Sequence, residues 1–154
     1  MRKSDFFVKW LFIHFMTLAA CPTFAASVSM IGEFSSDSQS GSGCEEVFLR
    51  KIYQLDFFVL TNPRGAVLHF NRANGDGDAA GFFSGINLVG RRGYDDLLLE
   101  KTLTTTSGLT FKIKADGIYN SELLLLDFLV TGIEPASGAP QCQARAELYG
   151  RTRS

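Results

Sequence analysis

The stretch Leu109-Thr110-Phe111-Lys112-Ile113-Lys114-Ala115 alternates apolar and polar side chains from one end to the other. Successive side chains of a β-strand point to opposite faces, so this order puts the apolar residues on one face and both lysines on the other. A strand of this kind lies between a core and water, which is the usual environment in an antiparallel sheet. The stretch therefore predicts an antiparallel β-fold.

Further short apolar runs, separated by turn residues, occur along most of the chain. They lie at 28–34, 53–60, 66–70, 82–89, 96–103, 122–130 and 142–151, and the run at 122–130 also fits a buried helix. Residues 90–93 and 116–117 have the composition of turns between such strands. This spacing predicts a mostly β fold, an antiparallel barrel or sandwich of about seven to eight strands. Closure into a barrel would remove exposed sheet edges.

Residues 45–52 fit either a strand or one short helix. Ser42 and Glu45 match a capping box, and Phe48 and Ile52 lie at helical spacing. We therefore expect a mostly β chain in which a short helix near 45–52 is an open alternative to a strand.

The N-terminal residues have the pattern of a secretory signal. Basic residues precede a largely apolar run at 10–20, which is shorter than the about 20 residues that a membrane-spanning helix needs. Thr23 and Ala25 fit the small side chains that precede a signal-peptidase cut. The pattern predicts a signal peptide over 1–25 and a single β-rich domain over 26–154.

A second interpretation of this region involves lipid attachment. The stretch Leu18-Ala19-Ala20-Cys21 resembles the lipobox of bacterial lipoproteins, in which the cysteine is lipidated and becomes the first residue. The resemblance implies anchoring in the cell envelope through Cys21, and membrane contact is expected only in that case. Both interpretations predict an exported protein, periplasmic or extracellular in the first and lipid-anchored in the second.

The chain has an odd number of cysteines, 3 in all. Cys21 belongs to the predicted export signal under either interpretation, so Cys44 and Cys142 are left in the domain. An exported protein enters an oxidising compartment, and a Cys44–Cys142 disulfide is therefore predicted.

The domain has features that together outline a known class of small barrel. They are Gly32-Glu33-Phe34 near its start, Cys44 soon after, Cys142 on the last strand, and Gly150-Arg151 near the end. This outline resembles the small secreted calycin-type, or lipocalin-like, β-barrels. The resemblance implies a barrel rather than a sandwich, and a function in binding small apolar ligands or proteins.

Inward-facing apolar residues are the candidates for lining a ligand pocket. Those that the alternation puts on the inner face are Tyr53, Leu55, Phe57, Phe111 and Ile113. In the doublets Phe57-Phe58 and Phe82-Phe83 one ring points to each face of a strand. Some aromatic surface is then left for covering structure or for a partner.

The stretch 74–78 offers a weak candidate for a cation site. Asn74, Asp76 and Asp78 supply oxygens at alternating positions, like the start of a calcium loop. The later positions of such a loop hold Ala79 and Gly85 instead of Gly and Glu. A hydrophilic turn between strands is therefore the favoured interpretation, and we expect no metal or other cofactor.

His69 is the only histidine of the predicted domain and the only candidate for a general base. No Gly-x-Ser-x-Gly elbow accompanies it, so an envelope hydrolase using His69 is kept only as an alternative. The formal net charge is -1 and no long basic run is present, which disfavours nucleic acid as a partner. We therefore predict a non-enzymatic exported β-barrel that binds an apolar ligand or an envelope protein.

Overall fold

Eight antiparallel strands, joined in chain order, close into a barrel. The structure is a computed structural model that describes residues 23–62, 65–71, 81–94, 96–106 and 108–152, with only the backbone for 23–26, 36 and 62. The strands are β1 (Thr23–Gly41), β2 (Ile52–Asn62), β3 (Gly65–Phe70), β4 (Asn87–Arg92), β5 (Leu97–Thr104), β6 (Thr110–Tyr119), β7 (Leu123–Ile133) and β8 (Pro140–Thr152).

The first strand closes the barrel because it pairs on both of its sides. Its register with β2 runs without irregularity from Ala26 to Glu33, and its register with β8 runs from Met30 to Gly41 with one irregularity after Ser35. The other strands each pair with their neighbours in sequence. The predicted β-fold is therefore confirmed in its barrel form, and the topology is compatible with a calycin-like fold.

The connections divide the barrel into two ends. The short connections after β2, β4 and β6 lie at one end, together with the start of β1 and the end of β8. The other end, which we call the loop end, carries the described residues 42–51, 71, 81–86, 105–106, 108–109 and 134–139. The longer connections between strands are therefore at the loop end.

The barrel interior is apolar, as the alternation predicts. In β6, Phe111, Ile113 and Ala115 are buried, whereas Lys112 and Lys114 are exposed. The other strands alternate in the same way, and every buried side chain among the described residues is apolar or Tyr53. Burial of this face supplies the main stabilising term of the fold.

The short helix considered near 45–52 is not formed. Two overlapping turns replace it, in which the Val47 amide donates to the Cys44 carbonyl at 3.1 Å and the Leu49 amide to the Glu46 carbonyl at 3.4 Å. Both hydrogen bonds join residues three apart in sequence, whereas those of an α-helix join residues four apart. Strand β2 begins at Ile52. The segment between Cys44 and β2 is shorter than a stable helix needs. Burial of Cys44 and Val47 against the barrel fixes its backbone in turns instead.

The prediction of a strand over 82–89 is wrong in its first half. Residues 82–85 form turns, in which the Ser84 amide donates to the Gly81 carbonyl at 2.9 Å. Strand β4 begins at Asn87 and includes 90–92, which the sequence predicted to be a turn. The strands therefore change direction later, where the Gly93 amide donates to the Asp96 carbonyl at 2.8 Å.

The turn predicted at 116–117 is also displaced, since both residues lie within β6. The strand continues to Tyr119, and Asn120 makes the turn because its side-chain oxygen accepts from the amides of Glu122 and Leu123 at 3.1 and 2.8 Å. Asn is suited to this geometry, which mimics a backbone turn. The apolar run at 122–130 is a strand, not a buried helix.

Candidate functional site

An aromatic cluster occupies the barrel interior beneath the loop end. Its members are Phe34, Phe48, Tyr53, Phe70, Phe83 and Phe128, all buried. Phe83 lies at its centre, with ring centroids 5.0 Å from Phe70, 5.1 Å from Phe34 and 5.5 Å from Phe128. The turn 81–86 inserts this ring from the loop side, so protein side chains occupy the interior here.

A cleft of about 340 Å³ opens beside this cluster at the loop end. Its lining comprises Gly43, Glu45, Glu46, Val47, Phe82, Thr105, Leu109 and Phe111. Val47 and Phe111 are almost fully buried, and Phe82 and Leu109 are half-buried, so these four form an apolar floor. The Phe82 and Phe111 rings pack edge to face with centroids 5.0 Å apart. The floor is therefore pre-formed by packed side chains.

The disulfide holds one wall of the cleft in place. Cys44 and Cys142 are bonded, which confirms the predicted pairing, and Cys142 is paired in register with Gly41 and Gly132. A side chain at Gly132 would meet both sulfur atoms and the Phe111 ring, so the bridge lies directly against the floor. The wall segment 42–51 is thereby tied to the last strand.

Two carboxylates stand at the rim of the cleft. The Glu45 carboxylate accepts a hydrogen bond from the Gly43 amide at 2.7 Å, and both Glu45 and Glu46 are exposed. Among the residues that the structure describes, none that lines the cleft is basic. The cleft therefore combines an apolar floor with a negative rim.

Tyr53 lies below the loop end with its hydroxyl buried and without a well-formed hydrogen bond. Burial raises the pKa of Tyr53 above its ordinary 10.0, while the Phe83 backbone and the Arg50 charge act in the opposite direction. The Arg50 guanidinium lies 5.1 Å from the centre of the Tyr53 ring. This tyrosine stays neutral at physiological pH and belongs to the packed interior.

The predicted pocket residues occupy two different places. Tyr53, Leu55, Phe57 and Ile113 lie within the packed interior, whereas Phe111 reaches the cleft. Leu109 belongs to the alternating stretch 109–115, whereas the other lining residues were missed because they come from connections, whose packing has no periodic signal. The Phe82-Phe83 doublet was the one available sign, and the structure places Phe83 in the interior and Phe82 in the cleft.

His69 lies on the outer face of β3, away from the cleft. Its Nδ1 is 2.5 Å from the Asn87 side-chain oxygen. Asp56, its cross-strand neighbour, accepts hydrogen bonds from the Ser29 hydroxyl at 2.5 Å and from Asn71 at 3.0 Å. In a serine-hydrolase triad the histidine stands between serine and acid, whereas here the acid contacts the serine directly.

The remaining sequence candidates lie outside the described residues. These are Asn74, Asp76 and Asp78, the weak candidates for a cation site, and Cys21, the candidate for lipidation. Within the described ranges, no three His, Cys, Asp or Glu side chains are arranged to hold a metal ion.

The part of the chain that the structure describes contains no helix with the length and apolar character needed to cross a membrane. Comparisons of the chain with known protein families, with characterised proteins and with solved structures give no match.

Proposed function

We propose that the chain is an exported β-barrel protein that binds a small apolar ligand in the loop-end cleft. The observation that carries the proposal is the cleft itself, whose floor of Val47, Phe82, Leu109 and Phe111 is apolar, with Phe82 and Leu109 partly exposed to solvent. Its volume of about 340 Å³ lies in the lower part of the range for small-molecule sites. A ligand with one or two fused rings matches this size.

The location of the cleft follows from the packing of the interior. The aromatic cluster around Phe83 occupies the barrel beneath the loop end, so a ligand approaching from this side meets the cleft first. A ligand of about 12 heavy atoms gains roughly 0.3 kcal/mol or more per atom, which corresponds to a Kd of millimolar or better. We therefore expect measurable binding of simple aromatic probes.

Export is the second part of the proposal, and two features support it. The Cys44–Cys142 disulfide is typical of an oxidising compartment. The pairing of β1 with β2 is irregular at Thr23 and Phe24 and regular from Ala26, so cleavage after Ala25 would remove only the irregular end of that ladder. Lipidation at Cys21 is the alternative, and it would place the anchor next to the start of β1, at the end of the barrel opposite the cleft.

Calorimetric titration with 1-naphthalenemethanol, a neutral aromatic probe, tests the binding function. Phe82→Ala removes a half-buried ring from the cleft floor and is expected to weaken binding about fivefold or more. Tyr94→Ala is the matched control, because Tyr94 is an aromatic residue that is 96% exposed and lies outside the cleft. Absence of binding, or equal loss in both variants, would refute the proposal.

Intact-mass analysis of the protein recovered from cells tests the export route. A mass that lacks residues 1–25 is the expected result, and a Cys21 terminus with added lipid would establish the anchored alternative. An uncleaved chain in the cytoplasm would refute export altogether.

A further inference from the structure

We infer that the loop-end cleft selects an apolar ligand that carries a positive charge, an organic amine in preference to an alcohol or an acid of the same shape. The inference rests on the proposed binding function and adds the charge of the ligand to it. The occupant to which it commits is a small molecule, because a cleft of about 340 Å³ holds one ring system with a short substituent.

The first reason is the distribution of charge around the cleft. Glu45 and Glu46 are consecutive, exposed and part of the lining, and the other described residues of the lining are uncharged. Two carboxylates therefore act on the contents of the cleft, and the described part of the lining holds no basic residue to neutralise them. A cation bound between them is attracted by both, and an anion is repelled by both.

The second reason is the orientation of the wall that carries these carboxylates. The next residues, Val47 and Phe48, are 2% and 4% exposed and point into the barrel. The turn at Cys44–Val47 thus places apolar side chains on the inner side and the two carboxylates on the outer side. A ligand with its rings on the apolar floor would direct a short charged arm toward the rim.

The third reason is that the geometry of the rim is held before a ligand arrives. The Glu45 carboxylate is fixed by the Gly43 amide at 2.7 Å, and the adjacent Cys44 is bonded to Cys142. Phe82 offers a half-buried aromatic ring on the floor, and aromatic faces attract cations. Preorganised charges lose less conformational entropy on binding than flexible ones.

The outer wall of the barrel offers an internal comparison for this inference. Asp116, Asp127 and Glu147 are cross-strand neighbours on β6, β7 and β8, which makes a row of three carboxylates far from the cleft. Lys114 and Arg145 stand beside this row in the same surface depression. The row is negative like the cleft rim, but it lies far from the cleft and its charge is partly balanced by these basic neighbours. Removal of one of its carboxylates should therefore not affect a ligand in the cleft.

The test compares three probes of one shape: 1-naphthylmethylamine, 1-naphthalenemethanol and 1-naphthoate, each titrated at pH 7 and low salt. We expect the amine to bind about fivefold more tightly than the alcohol, and the carboxylate to bind more weakly than either. Glu45→Gln combined with Glu46→Gln should bring the amine and the alcohol to equal affinity. Asp127→Asn, the matched control, should leave the fivefold preference intact.

The glutamine variants preserve the wall, because a glutamine oxygen can still accept from the Gly43 amide. Glu46→Gln alone removes one charge without touching that hydrogen bond, and it should lower the preference for the amine to about half or less of its original value. A rise to 0.5 M NaCl should also lower the preference for the amine, because salt screens the charges of the exposed rim. Resonance shifts of the Gly43 and Leu109 amides on amine binding would support the location.

The outcomes separate the inference from the function on which it rests. Equal binding of amine and alcohol by the unmodified protein would overturn the inference and leave the proposed function standing. A preference that persists in the double glutamine variant, or disappears in Asp127→Asn, would overturn it as well. Amine binding that is insensitive to Phe82→Ala would show simple ion pairing and refute it. Failure of all three probes to bind would refute both proposals.

Discussion

Removal of the Cys44–Cys142 bond should destabilise the barrel strongly and release one wall of the cleft. The two cysteines are separated by 98 residues, and for a loop of this length the chain-entropy relation gives about 4.7 kcal/mol at 25 °C. With a urea dependence of about 2 kcal/mol per molar for a domain of this size, the unfolding midpoint should fall by about 2 M.

Urea unfolding, followed by far-ultraviolet circular dichroism, should compare three samples: oxidised protein, reduced protein, and the Cys44→Ala/Cys142→Ala variant. The reduced protein keeps both buried sulfur atoms and loses only the cross-link. The alanine variant loses packing as well, because the cysteines are 1% and 3% exposed. It should therefore be less stable than the reduced protein by about 1 kcal/mol or more.

The same samples connect the bond to the cleft. Because the bridge ties segment 42–51 to β8, its loss should weaken naphthalenemethanol binding while the β-sheet signal of the folded protein persists. A reduced protein whose unfolding midpoint lies within about 0.3 M of the oxidised one would refute the stability reasoning. Unchanged probe affinity in the reduced folded protein would refute the role assigned to the bridge in the cleft.

Other substitutions test the interior and the surface. Phe83→Ala should lower the free energy of unfolding by about 3–5 kcal/mol, because its fully buried ring is central to the aromatic cluster. Phe82→Ala should lower the free energy of unfolding by about half as much in the same urea assay, because its ring is only half-buried. Equal losses in the two variants would contradict the central position of Phe83 in the cluster. Tyr53→Phe should raise stability by about 1 kcal/mol at pH 7, since the buried hydroxyl has no well-formed hydrogen bond. Because burial raises the pKa of Tyr53, stability should fall as pH rises from about 10 through the folded pKa. Thermal unfolding of Tyr53→Phe should show a smaller fall, and an identical pH profile would refute the reasoning. The Lys51 hydrogen bond lowers the pKa of Asp37 below 3.8, so its stabilising effect is present above about pH 4 and is lost as pH falls through the folded pKa. Lys51→Gln should raise the pKa of Asp37 toward 3.8 in carbon-detected NMR titration, and an unchanged value would contradict it.

The strand faces were predictable because they depend on local backbone geometry alone. Alternation in 109–115 assigns Phe111, Ile113 and Ala115 to the interior, and these side chains are buried. The disulfide was also predictable, since Cys21 lies in the predicted export signal and two cysteines remain. Both inferences use information that is present within a short stretch or in a simple count.

The turn positions were less predictable because turn composition does not fix strand register. Residues 116–117 have the composition of a hairpin turn, yet both pair with β7 inside a longer ladder. Gly117 is suited to that place because the Leu125 carbonyl of β7 approaches too closely for a side chain. Glycine is therefore required at this position because of the close approach of β7, and not because of the turn that the sequence predicted.

The class of fold, the two faces of most strands and the cysteine pair follow from the chain's local pattern, because a period of two and residue composition are local properties. Long-range packing decided that the sheet closes, that 45–52 forms turns instead of a helix, and that Phe83 enters the interior. It also decided the cleft, whose wall, floor and rim come from segments around Gly43, Phe82 and Phe111. These segments are distant in sequence, and only barrel closure and the disulfide bring them to one end.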